Sequence, residues 1–189
     1  MNLRERLRRA IQQIERGTLQ IEGFRQAAVL VPIVEREHGA SLVFTARPKD
    51  MPTHAGQISF PGGGWESADL DLRTTALREA AEEIGIEAPH VDVLGQLDDV
   101  ATPLGFVITP VVGMLTDPPP FRPDPREVEA CFEIRISTIS NPDCFTHRGE
   151  RTIAGRVYPL PEYHVEGRVI WGATARIVQR LLELLDAAG

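Results

Sequence analysis

The chain has 189 residues, of which 42% are hydrophobic and 25% charged, a composition typical of one globular domain. Its net charge of −7 argues against a general nucleic-acid binder, which would need a basic surface. No apolar run reaches the roughly 18 residues that cross a bilayer, and the charged N-terminus lacks the apolar segment of a secretory signal. These features predict a cytoplasmic protein that does not bind membranes. Its two cysteines, Cys131 and Cys144, lack metal-ligand or redox spacing and are expected to be reduced thiols.

The first half of the chain predicts two helices and three strands. Apolar residues at helical spacing predict an amphipathic helix over about residues 1–16. Strand-like runs begin at Ala27, Ser41 and Gln57. A second helix, rich in glutamate, is predicted at about residues 71–85.

The second half adds strands that begin at Val91, Phe106 and Ala130. Pro110 lies inside the second of these strands and predicts an edge strand or a bulge there. The proline-rich segment 116–125 predicts a loop.

The last part of the chain predicts an extended, irregular segment over residues 158–172 and then a helix over about 172–187. Together the elements predict a mixed sheet covered by helices, in the α/β (α+β) class. Neither flank of the proline-rich loop looks self-sufficient, so residues 1–189 are expected to form a single domain.

The second predicted helix carries Glu79, Glu82 and Glu83 within an arc roughly 100° wide, and helical geometry directs them away from its core-facing stripe. Like charges at this spacing cost roughly 0.2–0.5 kcal/mol per pair, so a compensating cation is expected. Oxygen ligands suit Mg²⁺ or Mn²⁺ better than zinc. The alternative is a solvated acidic face. Gly85 is placed to end the helix in a left-handed conformation.

A run of three glycines, Gly62 to Gly64, precedes this helix. Glycine permits backbone conformations closed to other residues, and it lets the main chain approach a metal or a phosphate closely. A glycine turn followed about 15 residues later by the pattern RExxEExG is more specific than either feature alone.

At this point the sequence resembles the Nudix hydrolase family. The segment REAAEEIGI, residues 78–86, matches the second half of the Nudix box. The first half departs, since Asp69 stands where the box has a glutamate and the gap from Asp69 to Arg78 is one residue longer than in the general pattern. Asp69 is therefore read either as the first acid of the box or as a loop or helix-cap residue.

Residues 43–63, VFTARPKDMPTHAGQISFPGG, resemble a second signature, that of the coenzyme A pyrophosphatase branch of the family. Pro48 and Pro52 depart from that signature, the second of them replacing an arginine. Segments from Thr109, Glu127 and Trp171 also resemble this branch.

The resemblance implies an α/β/α sandwich with a mixed sheet, and a metal-dependent hydrolase that cuts coenzyme A or its derivatives into 3′,5′-ADP and 4′-phosphopantetheine. It implies Mg²⁺ or Mn²⁺ as the cofactor, with Glu79, Glu82 and Glu83 as ligands and Arg78 holding a ligand carboxylate. The residues expected to bind substrate are Arg47, His54, Gln57 and Gly63.

Other roles stay open at this stage. The base that accepts the proton of the attacking water has two possible sources. It is either one of the glutamates of the second helix or an acid from the later loop, Glu127 or Glu129. Trp171 and Phe106 either stack on the adenine or belong to the core, with the core reading favoured.

A basic cluster later in the chain also has two readings. It either meets the 3′-phosphate of the substrate or is a solvated surface, and the solvated reading is favoured. The cluster consists of His147, Arg148 and Arg151.

Two other functions remain possible from the sequence: hydrolysis of another nucleoside diphosphate derivative, such as ADP-ribose or a dinucleotide, and non-catalytic nucleotide sensing. The expected partner is a small molecule. The oligomeric state is open, with a homodimer among the possibilities.

Overall fold

The computed structural model describes residues 2–48 and 56–187. Its centre is an eight-stranded mixed sheet in which five strands follow the order β3-β2-β1-β7-β5. Three further strands lie off this path: β4 pairs with β1, β6 pairs with β7 and β8 pairs with β2. The eight strands are β1 (Arg25–Arg36), β2 (Gly39–Ala46), β3 (Ile58–Ser59), β4 (Gly62–Gly64), β5 (Val91–Gln96), β6 (Val100–Ala101), β7 (Phe106–Leu115) and β8 (Ala130–Arg135).

Helices cover both faces of this sheet. α2 packs on one face, where Ala76, Ala80 and Ile84 join the apolar side chains of β1 and β7. α1 and α4 pack on the other face. The result is the expected α/β/α sandwich with a mixed sheet. The helices are α1 (Leu3–Gln13), α2 (Leu72–Ile84), α3 (Ile136–Ile139) and α4 (Gly172–Ala187).

Strand β1 supplies both cores, because successive side chains of a strand point to opposite faces. Val31 and Ile33 enter the core beneath α1 and α4. Leu30 and Val34 enter the core beneath α2. β1 runs parallel to β7 over ten paired positions, from Arg25 opposite Phe106 to Val34 opposite Leu115.

Pro110 lies in the interior of the sheet, so the prediction of an edge strand is wrong. β7 is flanked by β1 on one side and by β5 and β6 on the other. The carbonyl of Pro110 accepts a hydrogen bond from the Leu97 amide, which lies between those two strands. The position that lacks an N–H therefore faces the interruption between β5 and β6. The irregularity occurs in the neighbouring strand β5, between Val93 and Gly95.

A second sheet of three antiparallel strands follows, in the order β11-β10-β9. Its strands are β9 (Phe145–Ile153), β10 (Arg156–Val165) and β11 (Arg168–Trp171). The prediction of an irregular segment over residues 158–172 is therefore wrong, because most of that segment is paired. Apolar residues of β10 and β11, among them Tyr163, Val165 and Ile170, pack into the core beneath α4. None of the described helices is long and apolar enough to cross a bilayer.

Candidate active site

Helix α2 is fixed at both ends by its own sequence. At the N-terminus, the Asp71 carboxylate accepts a 2.7 Å hydrogen bond from the Thr74 amide, which satisfies one of the unpaired donors of the first turn. At the C-terminus, Gly85 takes the left-handed conformation with φ of 72°. Its amide donates to the Ala81 carbonyl and the Ile86 amide to the Ala80 carbonyl, so the predicted glycine cap is confirmed.

The three glutamates of α2 differ sharply in exposure. The side chain of Glu82 is 58% exposed and that of Glu79 is 13% exposed, whereas Glu83 is buried. The expectation that all three face away from the core is therefore wrong for Glu83. Its carboxylate points toward β4 and accepts a hydrogen bond of 3.3 Å from the Gly62 amide.

The glycine run is a short strand rather than a flexible turn. Gly62, Gly63 and Gly64 pair in register with β1, opposite Val29, Ala28 and Ala27 respectively. None of the three has positive φ, so conformational freedom is not the reason for glycine here. The reason is close approach, because a Cβ on Gly63 would lie 2.4 Å from Glu79 Oε1 and one on Gly62 would lie 2.4 Å from the Ala28 carbonyl.

Arg78 connects the acidic helix to the preceding loop. Its Nε and Nη2 donate to the two carboxylate oxygens of Asp69 at 3.0 and 3.1 Å. Its Nη1 donates to Glu79 at 2.9 Å and to Glu82 at 3.2 Å. The guanidinium therefore determines where two of the three glutamate carboxylates lie.

Asp69 is a buried carboxylate with a full set of partners. Besides Arg78, it accepts hydrogen bonds from the Thr75 hydroxyl and the Glu66 amide. The hydrogen bonds from Arg78 lower the pKa of Asp69 to about 2, so the group is ionised at neutral pH. Asp71 and not Asp69 caps the helix, so Asp69 is a loop residue, and it has a role that neither reading included, which is to orient Arg78.

Burial raises the pKa of both Glu79 and Glu83. Desolvation raises the pKa of Glu83 to about 8, against the stabilising hydrogen bond from Gly62, and Glu79 and Glu127 raise it further. The pKa of Glu79 is also raised, mainly by burial, despite its hydrogen bond from Arg78. Buried carboxylates of this kind remain ionised at neutral pH only where a cation compensates them.

This donor set fits a hard divalent ion in its chemistry, because every candidate ligand is a carboxylate oxygen. Across residues 2–48 and 56–187, no three side chains of ligand type converge as a preformed metal cage. The carboxylates of Glu79 and Glu82 are turned toward Arg78, and that of Glu83 toward Gly62. Glu82 is exposed, and its contact with Arg78 is the longer of the two that Nη1 makes, at 3.2 Å.

The structure distinguishes between Glu127 and Glu129, the two candidate bases that follow the proline-rich segment. The charge of Glu127 contributes to the raised pKa of both Glu79 and Glu83. The backbone also connects its segment to the acidic helix, because the Asp124 amide donates to the Glu83 carbonyl and the Glu127 amide donates to the Asp124 carbonyl. The Glu129 amide instead donates to the last residue of β2. Glu127 is therefore the one that accompanies the acidic helix.

A cavity of about 1080 Å³ begins beside the buried glutamate. Glu83, Gly63, Arg47 and Gln57, all singled out from the sequence, line it together. The backbones of Arg47 and Gln57 are adjacent, since the Arg47 amide donates a hydrogen bond of 3.0 Å to the Gln57 carbonyl. The Nε of Arg47 is buried with no hydrogen-bond partner among the described residues. His54 and Pro52 lie outside the described residues.

A second part of the cavity wall comes from the three-stranded sheet and the start of β7. Trp171 lines it and is 47% exposed, so the expectation that Trp171 is a core residue is wrong. Phe106 is half-buried in the same wall, with the Arg25 guanidinium 4.2 Å above its ring. Arg148 and Arg151 also line the cavity, whereas their predicted companion His147 does not.

Sequence reasoning missed several residues of this wall. Arg25, Glu162 and His164 line the cavity, but Arg25 precedes the first predicted strand and the other two lie in the segment predicted to be irregular. Glu162 is the most informative of them, because it is a buried charged residue at the cavity surface. No motif marks it, and only the pairing of β10 with its neighbours reveals it.

Comparison with known proteins agrees with this architecture. The model of the NUDIX domain matches residues 24–169. A protein of Yersinia enterocolitica named "Uncharacterized Nudix hydrolase NudL" is 41% identical over 182 residues, covering 93% of this chain and 89% of that protein. A protein of the same name from Escherichia coli O1:K1 / APEC is 36% identical over 180 residues, which cover 89% of this chain and 85% of the Escherichia coli protein.

Among solved structures, the MutT/nudix family protein of Enterococcus faecalis has a TM-score of 0.59 at 13% identity, covering 98% of this chain and 70% of that one. The fold is thus that of the Nudix proteins. With the family model covering most of the chain and relatives well above 30% identity, the chain belongs to the Nudix hydrolase family.

Proposed function

We propose that this protein is a metal-dependent coenzyme A pyrophosphatase, which hydrolyses the diphosphate of coenzyme A or its derivatives to 3′,5′-ADP and 4′-phosphopantetheine. The observation that carries the proposal is the joint lining of one cavity by Glu83 and Gly63 of the Nudix box and by Arg47 and Gln57 of the upstream signature. Residues of the Nudix box, where the diphosphate would bind, and residues of the signature that resembles coenzyme A pyrophosphatases thus line one cavity.

The acidic helix supplies the ligands in this proposal. Glu79, Glu82 and Glu83 would hold Mg²⁺ or Mn²⁺, which when bound neutralises the diphosphate and polarises the attacked phosphorus. Arg78, itself held by Asp69, keeps Glu79 and Glu82 in position. The absence of a side chain on Gly63 leaves room for the Glu79 carboxylate.

The remaining residues bind the substrate and move a proton. Arg47 lines the cavity, its buried Nε has no hydrogen-bond partner among the described residues, and its guanidinium would donate to a phosphate oxygen. Glu127 would accept the proton of the attacking water, since its segment is hydrogen-bonded to the acidic helix through Asp124 and its charge acts on both Glu79 and Glu83. Water adds across the P–O–P bridge, so that each half of the substrate leaves as a phosphate monoester.

A substrate panel tests the proposal. The purified protein with Mg²⁺ is offered coenzyme A, ADP-ribose, NAD and a dinucleoside tetraphosphate at equal concentration, and products are identified by mass spectrometry. We expect coenzyme A to be cut fastest, to the two named products, with no turnover when EDTA removes the metal.

Two results would overturn the proposal. Faster cleavage of ADP-ribose or a dinucleotide would make the protein a Nudix hydrolase of another specificity. Nucleotide binding without product from any substrate would make it a sensing domain.

A further inference from the structure

The far wall of the cavity brings together two arginines that a regular strand would separate. Arg148 and Arg151 are three positions apart in β9, and such residues point to opposite faces of an undistorted strand. Both nevertheless line the cavity. An irregularity in β9 explains how.

That irregularity is a β-bulge. His147 pairs with Pro161 and Glu150 pairs with Pro159, so that two residues of β9, Arg148 and Gly149, stand opposite the single residue Leu160. Gly149 has φ of 101°, which favours glycine. The extra residue shifts the alternation by one, and bulges commonly redirect side chains in this way beside functional sites.

Arg148 is held in place from the neighbouring strand. Its Nε lies 3.2 Å from one carboxylate oxygen of Glu162 and forms an ion pair with it, and the other oxygen of Glu162 lies 2.6 Å from His164 Nε2. The Glu162 side chain is only 7% exposed, whereas that of Arg148 is 67% exposed. A buried carboxylate thus anchors one edge of a guanidinium whose other edge is open to the cavity.

The charge of the cavity is positive away from the acidic helix. Arg25 and Arg151 line it and form no ion pair among the described residues. In a chain of net charge −7, such a concentration of uncompensated arginines favours a ligand with negative charge at more than one place.

We infer that Arg148 and Arg151 bind a phosphate monoester of the substrate that is separate from the diphosphate being hydrolysed. The inference rests on the proposed function, and in coenzyme A the group is the 3′-phosphate of the ribose. Trp171, half-exposed and paired opposite Glu162 across the β10–β11 ladder, lies beside this subsite and offers a face on which the adjoining base stacks.

Comparison of two substrates that differ only in this group tests the inference. kcat/KM is measured for coenzyme A and for 3′-dephospho-coenzyme A, with wild type, Arg151→Ala and the double variant Arg148→Ala/Arg151→Ala. Wild type is expected to prefer coenzyme A by about 10- to 100-fold, because two charge-assisted contacts are at stake. In the variants the ratio falls toward one, mostly through a rise in KM for coenzyme A. Arg151→Lys is expected to recover part of the preference.

Arg156→Ala is the matched control, since Arg156 is an exposed arginine at the start of β10 that does not line the cavity. It should keep the wild-type ratio. A wild type that cuts both substrates equally would overturn the inference and leave the proposed function standing. So would a preference that survives in the double variant.

If wild type cuts neither compound, the proposed function fails, and the subsite is then tested by calorimetry with 3′,5′-ADP and 5′-AMP. Tighter binding of 3′,5′-ADP that is lost in the double variant supports the subsite. Equal binding of the two nucleotides overturns it.

Discussion

Asp69 and Arg78 are joined by two hydrogen bonds, Nε to Oδ1 at 3.0 Å and Nη2 to Oδ2 at 3.1 Å. This side-by-side pairing uses one edge of the guanidinium and leaves Nη1 for Glu79 and Glu82. Asp69 comes from the loop before α2, so the pair ties that loop to the middle of the helix. The position of the acidic cluster therefore depends on a residue nine positions away in sequence.

Replacing Asp69 by asparagine tests this dependence. Asp69→Asn removes the ionic partner of Arg78 while keeping the shape of the side chain. We expect the free energy of unfolding in urea to fall by about 1.5–3 kcal/mol, the range for a hydrogen bond between charged groups. We expect kcat/KM to fall about 10- to 100-fold, as for other residues that orient ligands. Asp143→Asn, at an exposed position, is the control, and a variant as stable and active as this control would contradict the assignment.

The same pair predicts a pH dependence. The pKa of Asp69 is lowered to about 2 in the folded protein, below the value of roughly 3.9 for an unfolded chain. Its stabilisation is therefore complete above about pH 4 and is lost as the pH falls toward 2. The difference in unfolding free energy between wild type and Asp69→Asn should be constant from about pH 5 to 7 and shrink below 4. A difference that persists unchanged to pH 2 would show that the ion pair is not its source.

Glu83→Gln and Glu82→Gln are predicted to abolish most activity without unfolding the protein. Loss of one metal ligand removes several kcal/mol of transition-state stabilisation, so turnover should fall at least about 100-fold. The Glu83→Gln fold should be as stable as wild type, because the amide is neutral, as the buried carboxyl group of pKa about 8 mostly is at pH 7 without a cation, and it keeps an acceptor oxygen for Gly62. Circular dichroism and urea titration check the fold, and steady-state kinetics the activity. Glu87→Gln, exposed just beyond the helix, should be unaffected, and near-normal turnover in Glu83→Gln would refute its role.

Neighbouring glycines provide an internally controlled pair. In Gly63→Ala the new methyl group would lie 2.4 Å from Glu79 Oε1, whereas in Gly64→Ala it would meet nothing within 4 Å. Gly63→Ala should displace the Glu79 carboxylate and lower kcat/KM by at least about 10-fold, since small displacements of catalytic groups are costly. Gly64→Ala should stay close to wild type. Equal activity of the two variants would show that the close approach of β4 to α2 is not required.

Local signals in the sequence were sufficient for the acidic helix and its surroundings. Glutamates at helical spacing, the glycine after the helix and the alternating strands around it all produce their expected structures. The glycine run was located correctly but for the wrong reason, since the crowding by Glu79 and Ala28 comes from elements brought together only by the fold. The burial of Glu83 was missed for the same reason, because the short strand β4 covers a helix face that looked solvated.

The three-stranded sheet could not be read from local pattern. β9 is exposed along almost its whole length, so it lacks the alternation of apolar and polar residues that marks a half-buried strand. Pro159 and Pro161 in β10 argue against regular pairing, yet both lie at the bulge, where the register shifts. With this sheet unrecognised, Glu162 and His164 had no reason to be singled out, and Trp171 was assigned to the interior.

The bulge at Gly149 has an implication for how such a protein diversifies. The proposed metal ligands stand on α2, which packs on the eight-stranded sheet, whereas Arg148 and Arg151 stand on the three-stranded sheet. Deleting one residue at the bulge would reverse which side chains of β9 face the cavity beyond it, while α2 stays as it is. A change of one residue in the length of this hairpin therefore alters the cavity lining independently of the acidic helix.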